Sequence, residues 1–316
     1  MSVRELTVLG TASQVPTRHR NHNGYLLRWD DAGFLFDPGE GTQRQMAFAD
    51  LPASAIHRVL VTHFHGDHCL GLAGIIQRLS LDRCAHPVSV HFPESGIAYY
   101  ERLRDASIYH AAADIRPMPI AESAKGRIRI AETDTYVLDA HRLDHPVPTY
   151  GYRLEEKAGV TFLPEKLAAA GIAGPRIAEL RDAGQLEVNG RVVRVEDVSV
   201  RREGAVFAFV MDTRPCEGAV DLARDADLLV MEATFTAADQ ELAREYSHSS
   251  SVDAAETARA AGAKRLAMTH FSQRYLNVDA HLEEARAIFP NTIALHDLAR
   301  VPIPRRRAVP RERGAK

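Results

Sequence analysis

The sequence predicts an α/β fold, a four-layer αββα sandwich in which two β-sheets face each other between outer layers of helices, with one insertion. Three observations favour this fold. The 316 residues are 45% apolar, which is enough for a large buried core. Short β-rich runs are flanked by helical runs in both halves of the chain. Potential metal ligands follow several of the apolar runs, at positions where buried strands would hold them in place.

The first half of the chain begins with strands and continues with strands and helices in alternation. Short apolar runs between turn residues predict the strands, and longer amphipathic runs predict the helices. The predicted strands are 5–9, 24–29, 34–37, 59–61, 88–92, 128–130, 135–138 and 150–154, and the predicted helices are 40–49, 70–79 and 95–104.

The second half follows a similar scheme, although no sequence repeat relates it to the first. Its predicted strands are 205–211, 228–231, 265–268 and 292–294, and its predicted helices are 221–224, 251–261 and 279–288. Between 156 and 200 the strand pattern breaks. We interpret this segment as an insertion into a catalytic domain that spans 1–302; a surface loop excursion is the alternative.

Composition and charge narrow the class of protein. A net charge of −3 gives no overall bias toward nucleic acid, so any basic surface must be local. No apolar run is long enough to span a membrane, and the first residues do not form a signal-peptide pattern. Cys69, Cys84 and Cys216 show no CxxC spacing, which indicates reduced thiols. We therefore expect a cytoplasmic protein, with no membrane association and no protein partner evident besides its own copies.

A cluster of potential metal ligands follows the predicted strand 59–61. This histidine cluster, residues 63–68, reads His-Phe-His-Gly-Asp-His and contains His63, His65, Asp67 and His68. Imidazole and carboxylate are groups that zinc favours, and a catalytic zinc takes three protein ligands and leaves one position open. The cluster has more ligands than one such ion needs. It therefore predicts two metal ions.

Further ligands occur at the ends of other predicted strands. Asp212 follows the apolar run 207–211, and His270 follows 266–269, an echo of Val-Thr-His at 61–63. The segment 139–145 supplies another histidine, either His141 or His145, and spacing alone does not choose between them. We expect these side chains to join the histidine cluster.

At this point the chain resembles the metallo-β-lactamase superfamily and, within it, the ribonuclease Z family. The resemblance extends from residue 5 to about 302. Its motifs are Leu-Gly-Thr at 9–11, Pro-Thr-Arg-His-Arg-Asn at 16–21, Phe-Asp-Pro-Gly-Glu-Gly-Thr-Gln at 36–43, the histidine cluster, Gly-Tyr-Arg at 151–153, Asp-Thr-Arg at 212–214, Glu-Ala-Thr-Phe at 232–235, His-Ser-Ser at 248–250 and Thr-His-Phe-Ser at 269–272. The histidine cluster alone is typical of the superfamily, whereas the other motifs together are specific to the family.

The resemblance implies a metallo-β-lactamase fold and two Zn²⁺ ions per subunit, with other divalent ions possible. It assigns His63 and His65 to one zinc, and Asp67, His68 and His270 to the other. Asp212 bridges the two ions. The third histidine of the first zinc lies six residues before Gly-Tyr-Arg in this family, which selects His145 over His141.

The resemblance also implies an activity. Members of this family are zinc-dependent endoribonucleases that cleave the 3′ trailer from precursor tRNA and leave a tRNA 3′-hydroxyl and a trailer 5′-phosphate. Asp67 takes the role of the base, and His248 donates a proton to the leaving oxygen while Glu232 orients its imidazole. Arg274 is a candidate phosphate clamp, with a solvated arginine as the alternative.

Substrate binding is implied for two other segments. The family carries a protruding arm at the position of the 156–200 insertion, where Gly174, Pro175 and Arg176 match its tRNA-gripping element. That arm serves the neighbouring subunit, so the resemblance implies a homodimer. Arg18 and Arg20 lie in the loop that disfavours tRNA ending in CCA; a solvated loop is the alternative. Residues 303–316 form a basic tail that we expect to be disordered.

Two other functions agree with the same residues. A small-molecule hydrolase of this fold would share the metal ligands, but it would not need the insertion. An RNA-binding protein without catalytic activity would not need the complete ligand set. An endoribonuclease that acts on precursor tRNA accounts for both features.

Overall fold

A computed structural model describes residues 3–306. The strands are β1 Arg4–Gly10, β2 Gly24–Trp29, β3 Ala32–Phe36, β4 Arg58–Leu60, β5 Val88–Pro93, β6 Ile115–Ile120, β7 Arg127–Glu132, β8 Tyr136–Arg142, β9 Tyr150–Glu156, β10 Gly159–Phe162, β11 Gln185–Val188, β12 Arg191–Arg194, β13 Ser199–Arg202, β14 Val206–Val210, β15 Leu228–Glu232, β16 Leu266–Thr269, β17 Thr292–Ala294 and β18 Arg300–Pro302. The α-helices are α1 Thr42–Phe48, α2 Gly66–Cys69, α3 Leu72–Leu81, α4 Ile97–Arg104, α5 Pro164–Ala169, α6 Arg176–Ala183, α7 Glu217–Ala223, α8 Gln240–Tyr246, α9 Ser251–Ala260 and α10 Asp279–Ile288. Within this part of the chain, none of the helices has the length and apolar character needed to cross a membrane.

Two seven-stranded sheets dominate the fold. The first has the strand order β18-β1-β2-β3-β4-β5-β6, and the second has the order β17-β16-β15-β14-β9-β8-β7. In the first sheet, β3, β4, β5 and β6 run parallel. In the second, β14, β15, β16 and β17 run parallel. Because the carboxyl ends of parallel strands meet at one edge of a sheet, the loops that follow β4, β14 and β16 collect ligands there.

Aromatic side chains fill the space between the two sheets. Phe36 of β3 lies 5.6 Å from Phe207 and 4.6 Å from Phe209 of β14, measured between ring centroids. Tyr25 of β2 meets Phe209 edge to face at 5.2 Å. All four rings are fully buried. Side chains alternate between the two faces of a strand, so the neighbours of these residues point outward to the helices.

Helices cover the outer face of each sheet. Leu72 and Ile75 of α3 pack in one apolar cluster with Val59 of β4, and Met46 of α1 belongs to the same cluster. On the other sheet, a second cluster joins α7, α9 and α10 to β14, β15 and β16. Full burial of a leucine or isoleucine side chain contributes roughly 1.5–3 kcal/mol, so these two clusters hold the outer layers. The predicted four-layer αββα sandwich is confirmed.

The chain separates into two compact units. Among the described residues, the larger unit comprises 3–132, 138–154 and 206–304, and the smaller comprises 133–137, 155–205, 305 and 306. The smaller unit contains the antiparallel pair β10–β13 and the hairpin β11–β12. Asn189 and Gly190 form the hairpin turn with positive φ angles of 52° and 74°, as a two-residue type I′ turn requires. An apolar core of its own includes Leu167, Leu180 and Val198.

Most predicted elements appear where the sequence places them, with differences at the ends. The predicted strand 135–138 continues to Arg142 in β8, so His141 lies within a strand. The sequence did not predict β6, α8 or β18. Residue 303, the first of the predicted tail, is buried, and its N–H donates to the carbonyl of Arg4. The rest of that tail from 307 to 316 lies outside the described residues.

Candidate metal centre and active site

Seven of the predicted metal ligands lie together at the edge of the two sheets. Their ligand atoms form two groups, and within each group the atoms lie within 4.8 Å of one another. The first group contains His63, His65, His145 and Asp212, and the second contains Asp67, His68 and His270. Asp212 connects the groups, because its Oδ1 lies 3.2 Å from Nε2 of both His68 and His270.

Asp37 orients two histidines on the side of the first sheet. Its buried carboxylate accepts a hydrogen bond from Nδ1 of His68 at 2.9 Å. It also accepts one from the hydroxyl of Thr62 at 2.8 Å, and that hydroxyl lies 3.0 Å from Nδ1 of His63. A threonine hydroxyl has one proton, which goes here to Asp37, so the hydroxyl accepts from the Nδ1–H of His63. Both imidazoles are thereby held with Nε2 toward the site.

On the side of the second sheet, Glu232 orients two histidines in the way that Asp37 does on the first. Its carboxylate accepts from the hydroxyl of Thr234 at 2.6 Å, and Nδ1 of His270 lies 2.7 Å from that hydroxyl. Nδ1 of His248 lies 3.0 Å from the same carboxylate. The backbone N–H of Thr213 also donates to Glu232, at 2.6 Å. Glu232 therefore orients His270 through a threonine and His248 directly.

His145 lies at the site, and His141 does not. Nδ1 of His145 donates to the carbonyl of Ser247 at 3.1 Å, and the ring centroid of His145 lies 5.2 Å from that of His63. His141 instead lies beside Asp221 of α7, with Nε2 3.9 Å from its carboxylate. Spacing alone does not choose between these two histidines. In the structure, His145 belongs to the first ligand group, whereas His141 lies on the outer face of β8.

The donor atoms at the centre fit divalent metal ions. Nε2 of His63, Nε2 of His145 and Oδ1 of Asp212 are buried, and none of them has a hydrogen-bond partner within the described residues. Buried polar atoms without partners are rare in folded proteins and need a reason. Imidazole nitrogen and carboxylate oxygen are ligands that zinc takes at distances near 2 Å. Metal coordination accounts for these three atoms.

Burial and close charges shift the pKa values at the centre. Burial holds the pKa of His63 well below its ordinary value, and neighbouring His68 lowers it further. Burial also lowers the pKa of His68, but the carboxylates of Asp212, Asp67 and Asp37 outweigh it and raise that pKa well above its ordinary value. Burial alone raises the pKa of Asp212, whereas the imidazoles of His270 and His68 hold it well below the usual range. Metal binding at these side chains therefore competes with protons.

Several site residues have a left-handed backbone. The φ angles are 42° at Asp37, 40° at Asp212, 62° at Ser247 and 61° at His270. Non-glycine residues seldom adopt this region, although aspartate tolerates it better than most. Asp37 and His270 follow strands directly, and Asp212 lies two residues after the end of β14. The abrupt turn at each of these positions directs the side chain into the site. Backbone strain of this kind is frequent at functional sites.

A cavity of about 360 Å³ opens onto the metal ligands. It is lined by Ser13, Gln14, His65, Asp67, His145, Pro146, Asp212, Thr234, Phe235, Tyr246, His248, His270, Ser272, Gln273 and Arg274. Its volume is within the range of ligand pockets, roughly 300–1,000 Å³. His248 is the histidine in this lining that lies outside the two ligand groups. Burial lowers its pKa, but the carboxylates of Glu232 and Asp212 outweigh burial and raise it to about 9.

The predicted substrate-binding residues lie in different settings. Arg274 lines the cavity, with its guanidinium 5.3 Å above the ring of Phe235. Arg18 is exposed. Arg20 is partly buried, and its guanidinium donates to the backbone carbonyls of Ser272 and Tyr275.

The other predicted substrate-binding residues belong to the smaller unit. Gly174 has a positive φ of 58°, and Pro175 precedes the first turn of α6. The Arg176 guanidinium donates to the carbonyl of Glu187.

Sequence reasoning missed the residues that orient the ligands. Asp37, Thr62 and Thr234 belong to sequence motifs, but the motifs do not assign them a role. One signal was available for Asp37, since it follows an apolar run directly, as Asp212 does. No comparable signal exists for Thr234, because its partner His270 is distant in the sequence.

Comparison with known proteins agrees with this geometry. The sequence model of the Metallo-beta-lactamase superfamily matches residues 17–270. The chain is 55% identical to "Ribonuclease Z" of Nocardia farcinica over 97% of this chain and 100% of that protein. It is 53% identical to "Ribonuclease Z" of Streptomyces avermitilis over the same shares. The crystal structure of human tRNase Z, short form, superposes with a TM-score of 0.70 at 25% identity, over 95% of this chain and 99% of that one. The chain therefore belongs to the metallo-β-lactamase superfamily and, within it, to the ribonuclease Z family.

Proposed function

We propose that this protein is a metal-dependent endoribonuclease that removes the 3′ trailer from precursor tRNA. Cleavage leaves a 3′-hydroxyl on the tRNA and a 5′-phosphate on the trailer. Membership of the ribonuclease Z family supports this activity. The observation that carries it is the convergence of unpartnered, buried donor atoms of His63, His145 and Asp212 beside an open cavity that also contains His248.

Two zinc ions per subunit fit the donor set. We assign His63, His65 and His145 to one ion, and Asp67, His68 and His270 to the other, with Asp212 shared between them. Each set supplies imidazole and carboxylate donors, which zinc accepts readily, although other divalent ions also bind such groups. When bound, such ions polarise the phosphodiester and lower the pKa of water.

Asp67 and His248 move the protons of the reaction. In hydrolysis, water forms a new bond to phosphorus while the bond between phosphorus and the ribose 3′ oxygen breaks. Asp67 lies at the cavity wall and accepts the proton that the attacking water loses. His248 supplies a proton to the departing 3′ oxygen. Because Nδ1 of His248 is bound to Glu232, Nε2 is the nitrogen that faces substrate.

Binding of the tRNA body involves residues outside the cavity. We assign the grip on tRNA to the inserted arm, residues 156–200 within the smaller unit, through Gly174, Pro175 and Arg176. Arg274 and Arg18 are placed in the larger unit to contact phosphates near the cleavage site. Support for Arg274 is its position in the cavity wall, and support for Arg18 is its exposure.

Membership of the family also supports a proposal for the assembly and the location. We propose a homodimer in the cytoplasm, in which the arm of one subunit serves the active site of the other. The three cysteines are free, as expected in a reducing compartment. The active species should therefore elute as a dimer in size-exclusion chromatography with light scattering. An active monomer would contradict the dimer.

A comparison of two substrates tests the proposed activity. We expect the purified, metal-loaded protein to cut precursor tRNA at the base of the trailer, and the new 3′ end can be mapped by sequencing. Activity on bis-p-nitrophenyl phosphate without cleavage of precursor tRNA would point to a small-molecule hydrolase. RNA binding without any hydrolysis would point to an RNA-binding protein instead. The variant His63→Ala controls for contaminating nucleases.

A further inference from the structure

Tyr246 is an exposed aromatic side chain in the wall of the active-site cavity. It is the last residue of α8, two positions before His248, and 53% of it is exposed. Asp67 and His248, the residues assigned to proton transfer, line the same cavity. Within residues 3–306, the Tyr246 hydroxyl has no hydrogen-bond partner, so no polar contact in this part of the chain explains a tyrosine here.

The backbone around Tyr246 is fixed by contacts to the site. The next residue, Ser247, is left-handed, and its carbonyl accepts a hydrogen bond from His145. The hydroxyl of Ser247 accepts one from the guanidinium of Arg214 at 2.6 Å. An aromatic side chain on a fixed backbone loses little conformational entropy when a ligand binds. Tyr246 is therefore placed in advance rather than ordered on binding.

Tyr246 belongs to a small aromatic surface beside a positive charge. Its ring lies nearly parallel to that of buried Phe235, at an interplanar angle of 16° and a centroid distance of 6.4 Å. The Arg274 guanidinium lies over Phe235 at 5.3 Å. Proteins that bind single-stranded nucleic acid combine exposed aromatic rings, on which bases stack, with cations that meet the phosphates. The cavity wall has both components.

We propose that Tyr246 is a stacking platform for the base of a nucleotide next to the scissile phosphate. This inference rests on the proposed endoribonuclease function and adds a nucleobase subsite to the metal centre. A ring that served only to pack against Phe235 would gain more from full burial than from half exposure. Stacking also tolerates any base, so this subsite does not require a particular sequence at the cut.

Substitution of Tyr246 gives the first test. With precursor tRNA, we expect Tyr246→Ala to lower kcat/KM by roughly 5- to 150-fold, mainly through KM, which corresponds to about 1–3 kcal/mol per stacked base. Tyr246→Phe should retain wild-type activity, whereas Tyr246→Leu should resemble the alanine variant. Metal content and Tm should be unchanged in all three variants.

Phe48 provides a matched control on α1. It is also 53% exposed and has the guanidinium of Arg44 over its ring at 4.4 Å, but it does not line the cavity. Phe48→Ala should leave kcat/KM unchanged. An equal loss in Phe48→Ala and Tyr246→Ala, or full activity in Tyr246→Leu, would overturn the stacking platform.

Abasic substrates give the decisive test. Each nucleotide flanking the cut is replaced in turn by an abasic ribose, and wild type is compared with Tyr246→Ala. At one position, we expect the abasic ribose to lower the kcat/KM of the wild type. The same substrate should cause little further loss in the kcat/KM of Tyr246→Ala, because that variant has no ring on which the base could stack. Additive losses at every position would overturn the inference while the proposed function stands. A wild type that does not cut intact precursor tRNA would overturn both.

Discussion

Asp37 and Glu232 are equivalent residues on opposite sides of the metal centre. Each is a fully buried carboxylate that holds one imidazole directly and a second through a threonine hydroxyl. The contacts are Asp37–His68 and Asp37–Thr62–His63 on one side, and Glu232–His248 and Glu232–Thr234–His270 on the other. On one side both imidazoles belong to the two ligand groups, whereas on the other side His248 is the proposed proton donor. In the proposed function, one arrangement of side chains therefore serves both coordination and catalysis.

The two threonines should be as sensitive as the ligands that they orient. Thr62→Val and Thr234→Val keep the shape of the side chain but remove the hydroxyl. Each change leaves a buried Nδ1–H without a partner and removes one of the donors to a buried carboxylate. We expect each variant to lose roughly 10- to 100-fold in metal affinity or activity. Metal titration and kcat/KM on a small phosphodiester measure both effects.

Thr7 and serine variants control this experiment. Thr7 of β1 is equally buried, but its hydroxyl has no hydrogen-bond partner within residues 3–306. Thr7→Val should therefore keep full metal affinity, and Thr62→Ser should retain most of it. Normal metal affinity in both Thr62→Val and Thr234→Val would show that these contacts do not orient the ligands.

A pair of histidine variants tests the first metal site. His145→Ala removes a donor from the first ligand group, so the protein should bind less metal and lose more activity than the roughly 100-fold typical of residues that only orient a ligand. His141→Ala, four residues earlier, should keep its metal and its activity. Metal analysis by mass spectrometry and kcat/KM decide between the two. The opposite pattern would place the wrong histidine in the site.

Much of this site was predictable because strand burial leaves a simple pattern. All five residues of β14 are buried, so its apolar run predicts both the strand and the position of Asp212 at its end. By contrast, β6 contains Pro117 and Pro119, which argue against a strand. It nevertheless forms one at the edge of its sheet, where the missing N–H groups do not break a ladder on both sides.

The orienting contacts were not predictable from local sequence. Thr62 precedes His63 just as Thr269 precedes His270, and the analogy suggests that Thr269 orients His270. The structure instead uses Thr234 for this contact, and the hydroxyl of Thr269 lies 2.6 Å from that of Tyr25. Which hydroxyl reaches an imidazole depends on how neighbouring strands align, and that information is not local.

Stability should depend on pH through a buried histidine outside the metal centre. His91 of β5 is 2% exposed, and burial, with a smaller effect of Arg58, lowers its pKa to about 4. The unfolded chain binds this proton near pH 6.5. Below pH 6.5 the unfolded chain binds a proton at His91 that the folded protein does not bind. The free energy of unfolding is therefore unaffected by His91 above pH 6.5 and decreases as pH falls from 6.5 toward 4. Between pH 7.5 and 5.5 the loss is about 1.4 kcal/mol.

Urea unfolding of His91→Leu at pH 7.5 and 5.5 measures this contribution. The free energy of unfolding should fall by about 1.4 kcal/mol less in the variant than in the wild type over this interval. His110→Leu, at an exposed histidine, controls for removal of an imidazole as such. Equal pH dependence in wild type and His91→Leu would show that His91 is not held neutral by the fold.

The two arginines of the 16–21 loop should have separable roles. The Arg20 guanidinium is bound to the carbonyls of Ser272 and Tyr275, so Arg20→Ala should destabilise the fold by roughly 1.5–3 kcal/mol and slow cleavage of all substrates alike. Exposed Arg18 is free to meet RNA, and Arg18→Ala should erode discrimination between CCA-ending and trailer-bearing tRNA. Competition assays and thermal melts measure both. Equal loss on the two substrates in Arg18→Ala would mean that Arg18 supplies only charge.

Removal of the arm should separate RNA binding from chemistry. Gly159 and Arg202 face each other at the end of the β10–β13 pair, so deleting residues 160–201 and joining these two through a short glycine linker closes the gap over a small distance. The metal ligands lie outside the deletion. The KM for precursor tRNA should rise roughly tenfold or more, and the dependence on salt should weaken because phosphate contacts are lost. Turnover of bis-p-nitrophenyl phosphate should stay within about twofold of the wild type. Unchanged KM for precursor tRNA would show that the arm does not grip the substrate, and loss of both activities would show that the segment belongs to the catalytic fold.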